Sequence, residues 1–513
     1  MKRIYSLFAV LAMTFSSCND SFIDLVPEDS YTSDSFYKTE AQFRQAVIAA
    51  YVPLRDVLVN DYFTSEMRSD NSIYQPYPSN RGTAYVHREN ISDFTDNSTN
   101  AYTNAVWQHC YTGISRTNIV VERLAKSDLS ETVKNSISGQ AKFLRAWYYF
   151  KLVRLYGGVP LFLKEVTKAD DAFLPRSTAE QVYAQIIADA TEAVAQLPAP
   201  GKFPQSGEAT KGSATMLLAD VYATQKKWAE AETLLNSLAG MGYALHSEYA
   251  DAFMPANKNG KESIFEIQFL EGTVTGTSPN PLTFHFLPRS TSTAIITGIA
   301  INNSSTGGWN TPTTDLINAF EKNDKRLDAS IGIAEGAYNS SDLFTYSANK
   351  SIVDYKPATG KIGVPYIKKY VHAPLAAVTG SNDNFPVYRY SDALLLLAEA
   401  QNELEKSPLT PLNAVRARAG LPAITGGSQA ALRDIILHER RVELAFENHR
   451  WHDLVRSGKA VEVMNAFGAE LKKQVNYLTP DAYQVTANKL LFPIPQAEVE
   501  LSAGTVSQNP GYF

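Results

Sequence analysis

The chain runs to 513 residues with two cysteines and a formal net charge of −6. That length exceeds one compact core and points to two or three domains or an elongated helical array, while the lack of a clustered basic excess excludes nucleic acid as a partner. Aromatic residues make up 11%, with Tyr (27) ahead of Phe (24), so many rings carry a polar edge suited to half-wet surfaces.

Lys2 and Arg3 precede an apolar run from Ile4 to Phe15, followed by Ser16, Ser17 and Cys18. The run falls short of the roughly 20 residues that cross a bilayer, and its flanks are those of a secretory signal. Small residues directly before a cysteine look like a lipobox, so residues 1–17 are expected to be removed and Cys18 to carry lipid. One acyl chain holds a protein marginally and two or more hold it stably, which makes a triacylated Cys18 a permanent membrane anchor. With Cys18 lipidated no intramolecular disulfide remains, and Cys110 is expected to be an inert core thiol. No later stretch is apolar enough to span a membrane.

Residues 18–254 form a helical region. Periodicity predicts helices near Ala41–Val59, Asn104–Ala125, Glu131–Tyr156, Ala179–Gln196 and Lys211–Gln225, punctuated by Pro175, Pro198 and Pro200. Ser177 followed by Glu180 has the spacing of a capping box opening the Ala179 helix. Between Lys211 and Leu238, the positions Ala214, Leu218, Tyr222, Trp228, Ala231 and Leu235 alternate small and large residues on two facing helices, the pattern of a tetratricopeptide hairpin.

The helical period breaks over residues 255–384, where Gly, Ser, Thr, Asn and Pro crowd the stretch from Gly272 to Gly308. This is expected to be a separate, loop-rich module with short strands at Ile264–Phe269, Leu282–Leu287 and Tyr366–Tyr370. Helices resume over residues 385–513 at Tyr390–Glu405, Pro411–Ala419 and one long segment from Gln429 to about Arg456, and the tail from Leu491 to Phe513 is expected to be extended.

The segment LHERRVELAFENHRWHDLV, Leu437–Val455, is dense in charge. A metalloprotease pattern would need a histidine four residues after His438, where Val442 stands. His449 and His452 lie three apart without a third ligand in sight, so neither a metal nor a cofactor is expected. Arg440 with Glu443, Glu447 with Arg450, and Arg450 with Asp453 sit at i,i+3 spacing, which predicts a structural charge network whose loss at Arg450 harms folding. The chain also lacks G-x-S-x-G, G-x-x-x-x-G-K-[ST] and G-x-G-x-x-G patterns, leaving hydrolase-elbow and nucleotide readings unsupported.

Several blocks in order resemble the SusD/RagB family of outer-membrane nutrient-binding lipoproteins. They are CNDSFIDLVPEDS and FYKTEAQF near the start, then Trp107, Tyr111, Ile114 and Asn118, then AKFLRAWYYFKLVRLYGGVPL. The last third follows with YRYSDALLLLAEA, NAVRARAGL, ERRVELAFENHRWHDLVRSG, LFPIP with Glu498, and QNPGYF. The resemblance implies a mostly α fold, a scaffold of tetratricopeptide-like helical hairpins with an irregular module of loops and short strands beside it. It also implies a noncatalytic lipoprotein of the cell outer membrane that captures glycan and serves a SusC-like TonB-dependent transporter. Peptide capture, as in RagB-type relatives, and a protein-binding scaffold are the alternatives.

Ligand contacts in that family come from loops after the first helix and from the irregular module. Two segments there combine aromatic and polar groups: MRSDNSIYQPYPSNRG, with Arg68, Asp70, Tyr74, Tyr77 and Arg81, and SSTGGWN, with Trp309 and Asn310. A loop tryptophan between glycines offers a flat face to the C–H side of a pyranose, and Arg and Asp suit its hydroxyls. These residues are the candidate ligand contacts.

Overall fold

The computed structural model describes residues 36–75, 83–272, 274, 276–376 and 378–512. Cys18 and the expected signal, along with Tyr77 and Arg81, lie outside them. Thr39 opens the first helix, α1 (Glu40–Ser65), by accepting from the Gln42 N–H while Gln42 returns its side-chain oxygen to the Thr39 N–H at 3.0 Å. A two-residue strand β1 (Ser72–Ile73) and α2 (Thr83–Asp93) lead to the long antiparallel pair α3 (Ala101–Ala125) and α4 (Glu131–Tyr156). Gly157 ends α4 at φ 74°, a conformation that disfavours a side chain, and a Cβ there would also meet Leu491 at 2.9 Å.

Next come α5 (Ala179–Gln196), α6 (Lys211–Thr224) and α7 (Trp228–Leu238). The capping box of α5 uses Thr178 and Gln181, one residue beyond the expected Ser177 and Glu180. Lys226 at φ 58° turns α6 into α7, and Ala214, Leu218, Ala231 and Leu235 are buried between the helices, so the hairpin predicted from small-large alternation is present.

The middle of the chain carries β2 (Ser263–Ile267), two short helices α8 (Leu282–His285) and α9 (Ala294–Thr297), β3 (Thr311–Pro312), and α10 (Thr314–Ala319) and α11 (Arg326–Ser330). Then β4 (Ile331–Tyr338), β5 (Phe344–Ser351) and β6 (Ile362–Ile367) form an antiparallel sheet with β4 central. β7 (Phe385–Arg389) returns to pair antiparallel with β2, Ser263 opposite Arg389 and Ile267 opposite Phe385. The strand expected at Leu282–Leu287 is instead helical at its start. Asn280 Oδ1 accepts the Leu282 N–H at 3.0 Å and Pro281 presets a helical φ, which together start a turn rather than an extended run. The strand expected at Tyr366–Tyr370 ends at Ile367.

The last third contains α12 (Tyr390–Glu403), α13 (Leu409–Arg418), α14 (Gln429–Glu443), α15 (Arg450–Arg456), α16 (Ala460–Gln474) and α17 (Gln496–Leu501). α12 packs against α7, α13 and α14. The single long helix expected from Gln429 to Arg456 is therefore two helices. The turn between them places Phe446 and Asn448 at positive φ, and its backbone N–H groups find a partner far away in sequence: Phe446 N–H donates to Glu66 Oε1 at 2.8 Å and Asn448 N–H to Oε2 at 3.1 Å. One apolar core of aromatic and aliphatic side chains runs through both helical regions and the module, from Ala50 to Val506, and Cys110 is buried within it.

The dense charges of Leu437–Val455 are interior, and their partners are distant rather than one turn away. Glu443 is shared by Arg418, Arg389 (3.0 Å) and Arg326 (3.1 Å), all nearly inaccessible. Arg389 also holds Glu262 at 2.8 Å and Glu447 at 2.7 Å, and Lys369 reaches Glu447 at 2.8 Å. Arg440 bridges Asp392 and Asp453, and Arg450 grips Asp70 through two 2.8 Å bonds. The expected pairs Arg440–Glu443, Glu447–Arg450 and Arg450–Asp453 do not form, because each of these groups is taken by other partners: Arg440 by Asp392 and Asp453, Glu443 by three arginines, Glu447 by Arg389 and Lys369, and Arg450 by Asp70.

Burial opposes charge on Glu443 and Asp453, yet Arg418, Arg389 and Arg326 around the first and Arg440 and Arg456 around the second hold both carboxyls far below their ordinary range. Burial pushes Glu66 up to about 7 and Asp93 up to about 6. The lowered acids give stability that is complete above their unfolded-state range and is lost as pH falls. The raised acids run the opposite way, their stability fading as pH climbs from the unfolded value toward the folded one. Buried His285 and His452 are held neutral as well, which favours the fold as pH rises toward the ordinary imidazole range and opposes the raised acids there. Relative to wild type, Glu66→Gln is therefore expected to remove a loss of thermal midpoint between about pH 5 and 7, and an unchanged pH dependence contradicts the assignment of Glu66.

Candidate functional site

The two sequence segments singled out as ligand contacts are brought together. β1 and β3 pair antiparallel, with Ser72 opposite Pro312 and Ile73 opposite Thr311. Gln75 N–H donates to the Gly308 carbonyl at 3.0 Å, and Thr313 Oγ1 donates to the Asp70 carbonyl at 2.7 Å. The product is a closed seam and not an open platform.

Each described candidate is interior. Trp309 is 7% exposed, its backbone N–H tied to the His285 carbonyl at 2.8 Å. Its ring lies 4.4 Å from that of His285 and 5.7 Å from that of Phe63, with the Arg88 guanidinium 3.9 Å from its centre. Burial, then the Arg88 charge, pushes the His285 imidazole down to about 3, so it is neutral. Asn310 is fully buried at φ 58°, a conformation asparagine tolerates, and accepts a bond from Ser72 Oγ. Tyr74 is 2% exposed and accepts from Arg88 Nη1 at 3.3 Å.

Arg68 is sealed inside by Asp96 at 2.6 Å, the carbonyls of Ile91 and Lys489, and the ring of Phe492 at 3.9 Å. Asp70 is buried too, held below its usual range against the pull of burial by Arg450 and then Arg441. The expectation that Trp309, Asn310, Tyr74, Arg68 and Asp70 stand open to a ligand is thus corrected. The glycines beside Trp309 let its loop fold down onto α1 and α8; they do not lift the ring into solvent.

What reaches the surface above this cluster is a strip that sequence reasoning missed. Tyr85, on the first turn of α2, is half-buried, and the Arg289 guanidinium lies 5.4 Å from its ring centre. Arg289 is fixed by Nε donating to the Ser304 carbonyl at 2.7 Å and by its own carbonyl accepting the Phe344 N–H at 2.7 Å. Tyr338, 38% exposed at the end of β4, packs its ring 5.0 Å from Phe344. Burial, then Asp342, pushes its hydroxyl up and Arg289 opposes them, which marks Arg289 as a neighbour of both tyrosines. Arg289 itself is 6% exposed, so it braces the two tyrosines from beneath, and their rings are the part that suits the C–H face of a sugar. Among sequence signals, only the position of Tyr85 one turn after the candidate loop pointed here.

The carboxyl-terminal half, residues 261–512, matches the SusD family, and residues 21–223 match a family described as starch-binding associating with outer membrane. The chain belongs to the SusD/RagB family. It is 28% identical over its whole length to the SusD-like protein P2 of Formosa agariphila, covering all of both chains. A SusD-like protein of Bacteroides fragilis superposes with a TM-score of 0.73 at 24% identity, covering 95% of this chain and all of that one. A laminarin-binding SusD-like protein superposes at 0.71 with 27% identity over 93% of this chain and all of that one. The family blocks are accordingly architectural here. In AKFLRAWYYF, Arg145 clamps Asp189 of α5 through bonds of 2.8 and 2.7 Å, and the rings that follow fill the core.

Removal of the Trp309 ring is expected to cost about 3–5 kcal/mol of stability, the range for truncating a buried aromatic. Urea unfolding of Trp309→Ala measures it. An unchanged midpoint would return the ring to the surface.

Proposed function

We propose that this SusD-family chain binds neutral glycan at the cell surface and passes it to a SusC-like TonB-dependent transporter. Lipid on Cys18 holds it at the outer membrane. The observation that carries the reading is the pair of partly exposed rings Tyr85 and Tyr338 braced by the buried Arg289, in a chain alike over 93% of its length to a laminarin-binding SusD-like protein. The starch-binding description of the family matched by residues 21–223 supports the same ligand class and the outer-membrane setting. Capture, and not bond cleavage, is the proposed task. The transporter supplies a pore that no described helix provides, since none is long and apolar enough to cross a membrane. An anchor at one end keeps the body concentrated beside that partner while leaving it free to swing.

Titration of the protein with laminarin and starch oligosaccharides tests the strip. Tyr85→Ala and Tyr338→Ala are each expected to weaken binding about tenfold, ~1.4 kcal/mol, with little change in unfolding midpoint for the half-exposed Tyr338. Binding that survives both changes overturns the site. Separately, Cys18→Ala is expected to release folded protein from membranes and abolish palmitate labelling; retention of label refutes the anchor.

A further inference from the structure

A groove lies on the other border of the β1–β3 ribbon, a cavity of about 750 Å³. Ile73 lines it, and the next residue, Tyr74, closes the Trp309 cluster, so one ribbon borders both places. β3 and α10 form one wall and α16 the other. The volume falls within the roughly 300–1,000 Å³ of small-ligand sites. We propose that this groove is a second carbohydrate site, for a neutral oligosaccharide, separate from the tyrosine strip.

The chemistry of its lining argues the ligand class. Phe467, half-buried, forms a continuous apolar stripe with Ile73, Val463 and Leu471 along one side. Thr314 and Asn318 of α10 face it and Glu462 and Gln474 flank it on α16, and none of the four side chains makes a hydrogen bond or ion pair to other described residues. Apolar stripe against open donors and acceptors is the division a pyranose requires, C–H face on one side and hydroxyl edge on the other.

At the base, Arg441 spends Nε on Asn71 Oδ1 at 2.9 Å and Nη2 on Asp70 and Asp315, which leaves Nη1 as a donor with no partner among the described residues. Asp70, Asp315, Glu462 and Glu470 outnumber Arg441 and Arg450, and the two guanidiniums are already compensated. An acidic sugar or a phosphate would meet net repulsion, so the ligand is neutral. The frame is packed before ligand arrives: Arg450 and Arg441 tie α14 and α15 to Asp70, β1–β3 ties the ribbon to α10, and Met464 and Leu471 seat α16 in the apolar cluster of Trp451 and Tyr483. Such preorganisation lowers the ordering cost of binding.

The inference borrows the glycan class from the proposed function but not its location, and hydrogen exchange on the full mature chain separates the two. Laminarihexaose and maltohexaose, each at millimolar concentration, are the probes. With at least one of them, exchange in peptides covering 311–318 and 460–474 is expected to slow about threefold in the wild type. The same slowing is expected in the Tyr85→Ala/Tyr338→Ala double variant. It is expected to vanish in Ala466→Trp, where an exposed small residue of the groove becomes a plug, while the unfolding midpoint stays put. Absence of protection with both hexasaccharides overturns the groove, and so does protection that disappears with the tyrosines. Groove protection without any effect at 83–90 or 338–344 removes the strip and leaves the groove standing.

Discussion

Burying a carboxylate among three guanidiniums is the constraint on which this fold turns. Glu443 sits at the end of α14, and its partners come from α11, β7 and α13, with Glu262 before β2 and Lys369 after β6 completing the cluster. Each ion in it has left water, which costs several kcal/mol, and only a full set of partners offsets that cost. The set assembles only if the irregular middle of the chain and the carboxyl-terminal helices meet in one arrangement. The charges therefore select the arrangement more than they add to its stability, and the apolar core running from Ala50 to Val506 supplies the bulk of the driving force.

The same cluster explains what the sequence could and could not reveal. Helix bodies were legible because their period is local: the predicted and observed limits agree at Glu131–Tyr156 and Ala179–Gln196 and differ by a residue at Lys211–Thr224. The break between α14 and α15 was not, since nothing between Gln429 and Arg456 announces it. Its cause is Glu66, a carboxylate in another region that captures two backbone N–H groups of the turn. Charge pairing was correctly expected as structural and wrongly assigned to neighbours one turn apart, for the same reason.

The binding residues show the converse error. A tryptophan among glycines in a polar loop has the composition of a recognition site, and composition says nothing about what lies beneath. Phe63, Arg88 and His285 come from three separate elements and together make the pocket that swallows Trp309. The residues that remain accessible, Tyr85 and Tyr338, sit where a helix begins and a strand ends, positions that carry no signature. Architecture in this family is written in long blocks, whereas the surface that meets a ligand is written in single residues.

The attachment of the tail carries a consequence in time. Phe492 donates its N–H to the Leu155 carbonyl, and Asn509 Nδ2 bonds the carbonyls of Tyr156 and Phe492. Arg176 joins Gly158 to Ser507 and Asn509. The end of α4 is thus made long before the residues that cover its carbonyls, 353 positions on in the case of Tyr156 and Asn509. Closure of this fold therefore needs contacts of long sequence separation, a topology that slows folding, and the amino-terminal helices alone cannot complete it.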